Sequence, residues 1–264
     1  MAAQPGQVPP GNTLRVDCHA HVFDAAMPAS PTAWTVPDYA FTAQDLLAQM
    51  AAHGVEHAVL SGLSISGDYN DYMIRSLRAH PRLRGTAIVN PMADLYTLER
   101  MQADGIVGIR LQLARRSELP DFDSFEYRKL LRRVRDLGWH VQVAIEGPQL
   151  PEVLQPLLAA GVNVVIDHFG HPDPADPLQC AGFQAMLAAV DTGRCWVKLS
   201  APYQLSQSGG PAYADYLAQG RALAAANPER TVWGTNWPHP RVEEKPDEAH
   251  LLDVLLDWTD GDAA

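Results

Sequence analysis

Two histidines, His19 and His21, stand two residues apart at the end of the apolar run LRVDCHAH (14–21). Residues two apart in an extended segment share a face, so both imidazoles can enter one space. Other chemistry-bearing residues close other short apolar runs. Arg110 lies in VGIRLQL, with Arg115 and Arg116 just beyond it. Asp167 and His168 lie in NVVIDHF, with His171 following, Lys198 lies in CWVKLS, and Asn236 ends TVWGTN, with His239 after it. Imidazoles gathered in this way can polarise a carbonyl, move a proton or ligate a metal. Arginines beside them suit a carboxylate, which a guanidinium fork holds through two parallel hydrogen bonds. One histidine at a strand end is more often a satisfied polar residue than a functional one. The weight here comes from several at the same end of different runs. Lys198, two residues inside its run, reads better as an ion-pair partner than as a catalyst. His53, His57, His80 and His250 fall in or beside helical stretches and read as surface residues, and Cys18 alternates away from the two histidines and reads as packing.

These residues need a frame that brings the ends of distant runs together. Besides the four runs above and LRVDCHAH, three more read as strands: EHAVLSG (56–62), GTAIVN (85–90) and WHVQVAIE (139–146). All are near-continuous apolar runs, as strands covered on both faces are. Helical patterns separate them, such as AQDLLAQMAAHG, stopping at Gly54, and DSFEYRKLLRRVRDLG, with Asp123 or Ser124 as cap and Gly138 as stop. Eight strands alternating with eight helices predict an α/β fold, the (β/α)8 or TIM barrel, with a parallel eight-stranded sheet. In such a barrel the C-terminal ends of the strands form one mouth, where the residues above would meet. A doubly wound open sheet fits less well, because no Gly-rich turn follows the first run. Residues 1–13 read as a loose N-terminal tail and 14–264 as a single barrel domain.

The composition narrows the partners. A chain of 264 residues with net charge −11 lacks the clustered Lys and Arg that phosphate backbones require, so no nucleic acid is expected. A small anionic substrate needs only a few local arginines. No apolar stretch approaches a membrane span and no basic-then-apolar leader opens the chain, so no membrane association is expected. Cys18, Cys180 and Cys195 form no zinc or disulfide spacing, which fits a reducing compartment, and a cytoplasmic location is expected.

Taken in order, the segments VDCHAHVF, GIRLQL, VVIDHFGHP, WVKLSAPY and WGTNWPHP resemble the amidohydrolase superfamily. Within it they resemble the branch of 2-pyrone-4,6-dicarboxylate lactonase and galactarolactone isomerase, over nearly the whole chain. The resemblance implies a hydrolase acting on a small carboxylated lactone or related ester. It implies catalytic roles for His19, His21, His168 and Asn236, and substrate-binding roles for Arg110, Arg116, Ser64 and His239.

Against the superfamily pattern the chain lacks two metal ligands: the fourth strand ends LQL after Arg110 and the fifth ends AIE without a central histidine. The last strand normally supplies an Asp, and here it carries Asn236, which is neutral and cannot act as a general base. No cofactor is therefore expected, with a single divalent ion at His19, His21 and His168 the less favoured option. Gln204 stands where the lactonase branch carries a further arginine, which points to one substrate carboxylate rather than two. Two rival readings remain. One is a lactone isomerase, with Asn236 positioning a substrate hydroxyl. The other is a non-catalytic binding barrel that has lost its base at Asn236.

Overall fold

Eight short strands form where the apolar runs predict them: β1 (Val16–Ala20), β2 (His57–Ser61), β3 (Leu83–Ala87), β4 (Ile106–Gln112), β5 (His140–Ala144), β6 (Asn163–Ile166), β7 (Cys195–Ser200) and β8 (Thr231–Gly234). The structure is a computed structural model that describes residues 14–116, 118–210, 213–240, 242 and 244–259; the expected tail at 1–13 lies outside the described residues. Each strand pairs in parallel with the next, in the order β1 to β8. The sheet closes beyond β8, where the Asn236 N–H donates to the His19 carbonyl at 2.7 Å and the His21 N–H donates to the Trp237 carbonyl at 2.8 Å. The seam of this (β/α)8 barrel is thus made by the backbone of the residues singled out for chemistry.

Between the strands run α1 (Ala43–Ala52), α2 (Asp71–Ala79), α3 (Leu95–Ala103), α4 (Phe125–Asp136), α5 (Leu150–Ala159) and α6 (Ala181–Asp191). After β7 come the short α7 (Pro202–Leu205) and then α8 (Leu217–Ala226), and α9 (Glu248–Trp258) follows β8. Local chemistry sets several starts: Thr42 and Asp45 form a capping box on α1, and Ser124 is the residue that caps α4. No helix among the described residues is long and apolar enough to cross a membrane.

Some strands end earlier than their apolar runs. β3 stops at Ala87 because the Asn70 amide takes the Ile88 carbonyl at 2.8 Å, diverting the backbone into a loop. β6 stops at Ile166 because His168 and Phe169 adopt left-handed backbone, with φ of 51° and 55°. β1 slips its register against β2 between Asp17 and Ala20. The Asp17 carboxylate accepts from the Thr235 N–H at 3.0 Å, from its hydroxyl at 2.5 Å and from the His19 N–H at 2.9 Å. It therefore ties β1 to the end of β8.

Gly234 permits that approach. A Cβ there would lie 2.8 Å from both the Cβ and the backbone nitrogen of His19. Gly234→Ala is expected to cost about 1–3 kcal/mol, as overpacking of a tight contact does. Urea denaturation measures it; a midpoint equal to that of the wild type would contradict the close seam.

Candidate active site

Non-glycine residues with left-handed backbone gather at one end of the barrel: His168, Phe169 and His171 after β6, Ala201 after β7, and Asn236 and His239 after β8. Such conformations cost on the order of 1–3 kcal/mol each and persist where the surroundings over-determine them, which makes this end the place to look for a site. A cavity of about 220 Å³ opens there, lined among others by His21, Ser64, Arg110, His168, His171 and Asn236.

The floor is organised around one carboxylate. Asp167 is buried and accepts from Arg110 Nε at 3.3 Å and Nη2 at 3.0 Å, and from Gln142 Nε2 at 2.8 Å. Its Oδ1 also lies 3.3 Å from Lys198 Nζ and 3.3 Å from His19 Nδ1. Gln142 is fixed in turn by the Thr86 hydroxyl, which donates to its Oε1 at 2.6 Å. Burial opposes ionisation of Asp167, but Lys198, His19 and Arg110 together outweigh it and hold the carboxyl well below its usual range. Burial draws the Lys198 ammonium down, and Asp167 resists that pull. Two cations therefore share one anion beneath the cavity.

A hydrogen bond fixes the tautomer of His21. The Ser61 carbonyl can only accept, so His21 Nδ1–H donates to it at 2.8 Å. The neutral ring then offers a bare Nε2, which lies 3.2 Å from His19 Nε2. His19 Nδ1 lies 3.3 Å from both the Lys198 ammonium and Asp167 Oδ1, so it accepts from the first in one tautomer and donates to the second in the other. Burial keeps these rings neutral: it pushes His21 down to about 3, with Arg110 adding to the effect, and holds His19 well below the usual histidine range. His168 is likewise pushed well down, by burial first. Its Nδ1 lies 2.7 Å from the Ser200 hydroxyl, and its ring stacks on His171 at a centroid distance of 5.6 Å.

The structure brings His21, Ser64, Arg110, His168 and Asn236 to the cavity wall. His19 is fully buried beneath them and is not part of the wall. Arg116 is exposed and stands outside the cavity lining. His239 is buried and also stands off the wall, its Nδ1 at 3.2 Å from the Tyr203 hydroxyl and its Nε2 at 3.3 Å from Glu248 Oε1. Gln204 does line the cavity, with its amide donating to the Pro240 carbonyl at 2.6 Å. Arg110 has a buried counterion that the sequence reading did not supply. Three of its five N–H groups go to Asp167 and to the Gly62 carbonyl, the latter at 2.8 Å, which leaves two for a ligand. Residues missed in the sequence include Gln142, whose signal was a lone amide inside the run HVQVA, and Tyr203, Lys245 and Glu248, which carried none.

The amidohydrolase pattern implies a metal, so its fit to these residues matters. His19, Asp167 and His168 bring potential ligand atoms within 4.8 Å of one another. Yet both Asp167 oxygens are engaged by Arg110, Lys198 and Gln142. Asn236 brings no charge, and the imidazoles that remain are neutral. A divalent ion would sit beside two cations with no carboxylate free to receive it, so the residues fit it poorly.

Comparison with known proteins agrees with the barrel. The amidohydrolase family profile matches residues 16–264. The chain is 30% identical over 253 residues to a 2-pyrone-4,6-dicarboxylate hydrolase of Comamonas testosteroni, covering 91% of this chain and 82% of that protein. It is 28% identical to a D-galactarolactone isomerase of Agrobacterium fabrum, covering 94% and 86% of the two chains. Among solved structures, a probable 2-pyrone-4,6-dicarboxylic acid hydrolase of Acinetobacter baumannii, with citric acid bound, superposes with a TM-score of 0.84 at 28% identity, over 93% of this chain and 92% of that one.

Proposed function

The chain belongs to the amidohydrolase family, and from that premise we propose that it hydrolyses a small lactone carrying one anionic group, without a metal ion. The observation that carries this reading is the charge of the cavity. In a chain of net charge −11, no Asp or Glu is found among the described residues that line it, whereas Arg110 and Lys245 are. An anion is the ligand such a wall favours. By their names one relative acts on a pyrone dicarboxylate and the other on a lactone, which supports carrying lactone chemistry over to this site.

In this reading the two unspent N–H groups of Arg110 meet the substrate anion or the developing oxyanion. The surplus positive charge that Arg110 and Lys198 share over Asp167 is preorganised to stabilise negative charge in the cavity above it. His21, its one proton given to the Ser61 carbonyl, shapes the wall rather than donating to the substrate carbonyl. His168 is the base that takes a proton from water, through Nε2 in the tautomer whose Nδ1–H is given to Ser200. Asn236 holds the attacking oxygen. The same neutral amide also suits a substrate hydroxyl, and this favours the lactone isomerase as the second reading. Metal independence rests on the poor fit of the donor set described above.

Calorimetric titration of a monocarboxylated lactone against its methyl ester tests the charge argument. The acid is expected to bind about 10- to 100-fold more tightly, as charge-assisted hydrogen bonds of about 1.5–3 kcal/mol imply. Equal affinities would sink the assignment.

A further inference from the structure

Behind the cavity wall, Asn236 is the first member of a hydrogen-bonded row that leaves the barrel. Its Nδ2 donates to the Tyr203 hydroxyl at 3.0 Å, that hydroxyl lies 3.2 Å from His239 Nδ1, and His239 Nε2 lies 3.3 Å from Glu248 Oε1 at the start of α9. Asn236 is 2% exposed and His239 3%, while Tyr203 and Glu248 are half-buried. Glu248 is held from its other side by His53 Nε2, at 3.6 Å. Lys245 Nζ donates to the His239 carbonyl at 2.6 Å and pins the loop.

The row has a direction. A carboxylate only accepts, so Glu248 requires the proton of a neutral His239 to sit on Nε2. His239 Nδ1 is then bare and competes for the single proton of Tyr203, at 3.2 Å, with the backbone carbonyls of Asn236 at 3.3 Å and Thr235 at 3.4 Å. Tyr203, its proton spent, can only accept from Asn236, which must turn its NH2 toward the phenol. The carbonyl oxygen of the amide is left for the cavity that Asn236 lines. Without this row the amide could flip, since its two ends have nearly the same shape.

We propose that Glu248, acting through His239 and Tyr203, sets the amide of Asn236 so that it presents an acceptor to the hydroxyl or water at the reacting centre. Tyr203, His239 and Glu248 are positioning residues, and His239 acts from behind the wall rather than on the substrate. The role given to the presented oxygen rests on the cavity being the lactone site. The orientation itself does not, and it can be read without substrate.

Selective 15N-asparagine labelling gives that readout. The Asn236 side-chain NH2 signal is identified by its disappearance in Asn236→Asp. In Tyr203→Phe the signal is expected to shift and its hydrogen exchange to accelerate, because the acceptor is gone. In Glu248→Gln it is expected to shift or split, because Gln no longer dictates the His239 tautomer. A signal unmoved in both folded variants overturns the proposal, even if lactone turnover is found. Kinetics give a second reading on any lactone that turns over. Tyr203→Phe is expected to lower kcat about tenfold with little change in KM, the worth of one hydrogen bond. Added to Asn236→Ala it is expected to lower kcat no further. Additive losses would mean that Tyr203 acts independently of Asn236 and would overturn the row.

Discussion

Asp167→Asn is expected to destabilise the fold by about 3–5 kcal/mol, the usual cost of leaving buried charges unpaired. For a chain of this size that corresponds to a fall in Tm on the order of 10 °C. Asn keeps the shape of Asp, so the loss isolates charge and hydrogen-bond polarity. Both carboxylate oxygens receive donors: Arg110 on Oδ2, and Lys198 and Gln142 on Oδ1. Whichever way the new amide turns, its NH2 meets another donor, and two cations remain without an anion. Removing one cation as well, in Asp167→Asn with Lys198→Met, is expected to recover part of the loss. The effect depends on pH with a definite sign. The folded-state value of Asp167 lies well below the usual carboxylate range, so its contribution is complete above the unfolded value of about 4 and fades as pH falls below that. The gap in Tm between wild type and variant therefore narrows in acid. A Tm within two or so degrees of wild type at pH 7 would remove Asp167 from the centre of the site.

Asn236→Asp is expected to have the largest effect on ligand binding. It places a carboxylate, ionised at pH 7, in a cavity whose described lining holds none. At about 5 Å and an effective dielectric constant of about 20, two like charges repel by roughly 3 kcal/mol. Part of this is offset by Arg110 and Lys198. The Kd of an anionic lactone is expected to rise at least tenfold, while that of its neutral ester changes little. Asp is also accepted at the left-handed backbone of residue 236, where φ is 58°, so the variant is expected to fold. Its products separate the two catalytic readings. If the native enzyme hydrolyses with His168 as base, the variant turns over more slowly and makes the same open-chain acid. If the native enzyme rearranges a lactone through a substrate hydroxyl, the variant gains open-chain acid as a new product, because Asp can accept a proton from water and Asn cannot.

The strands were legible in the sequence because a parallel barrel buries them on both faces and leaves apolar runs; the observed strands lie within or overlap the eight expected segments. That His21, His168 and Asn236 would meet at one end was legible because they close their runs, whereas His19, on the same face as His21, lies buried beneath the cavity. Partnerships were harder to see. Arg110 read as a free anchor because its counterion is 57 residues away, and Asp17 passed unnoticed because its partner Thr235 is 218 residues away across the seam. Arg116 and His239 stand beside their motifs in the chain, but turns carry the first to an exposed position and the second behind Tyr203. Nothing in the periodicity marked α7, a four-residue helix whose Tyr203 supports Asn236. Contacts made between loops leave no repeat in sequence, and register and side-chain direction there depend on tertiary closure.

Product analysis by NMR tests the central claim most directly. The purified enzyme is treated with chelator, its metal content is measured, and it is incubated with a panel of lactones, with and without a single carboxylate. The account predicts that carboxylated lactones are converted to open-chain acids at rates unaffected by chelation, and that neutral analogues are converted poorly. Loss of activity on removal of a stoichiometric metal would contradict it, as would a second lactone as the main product or no turnover of any anionic lactone.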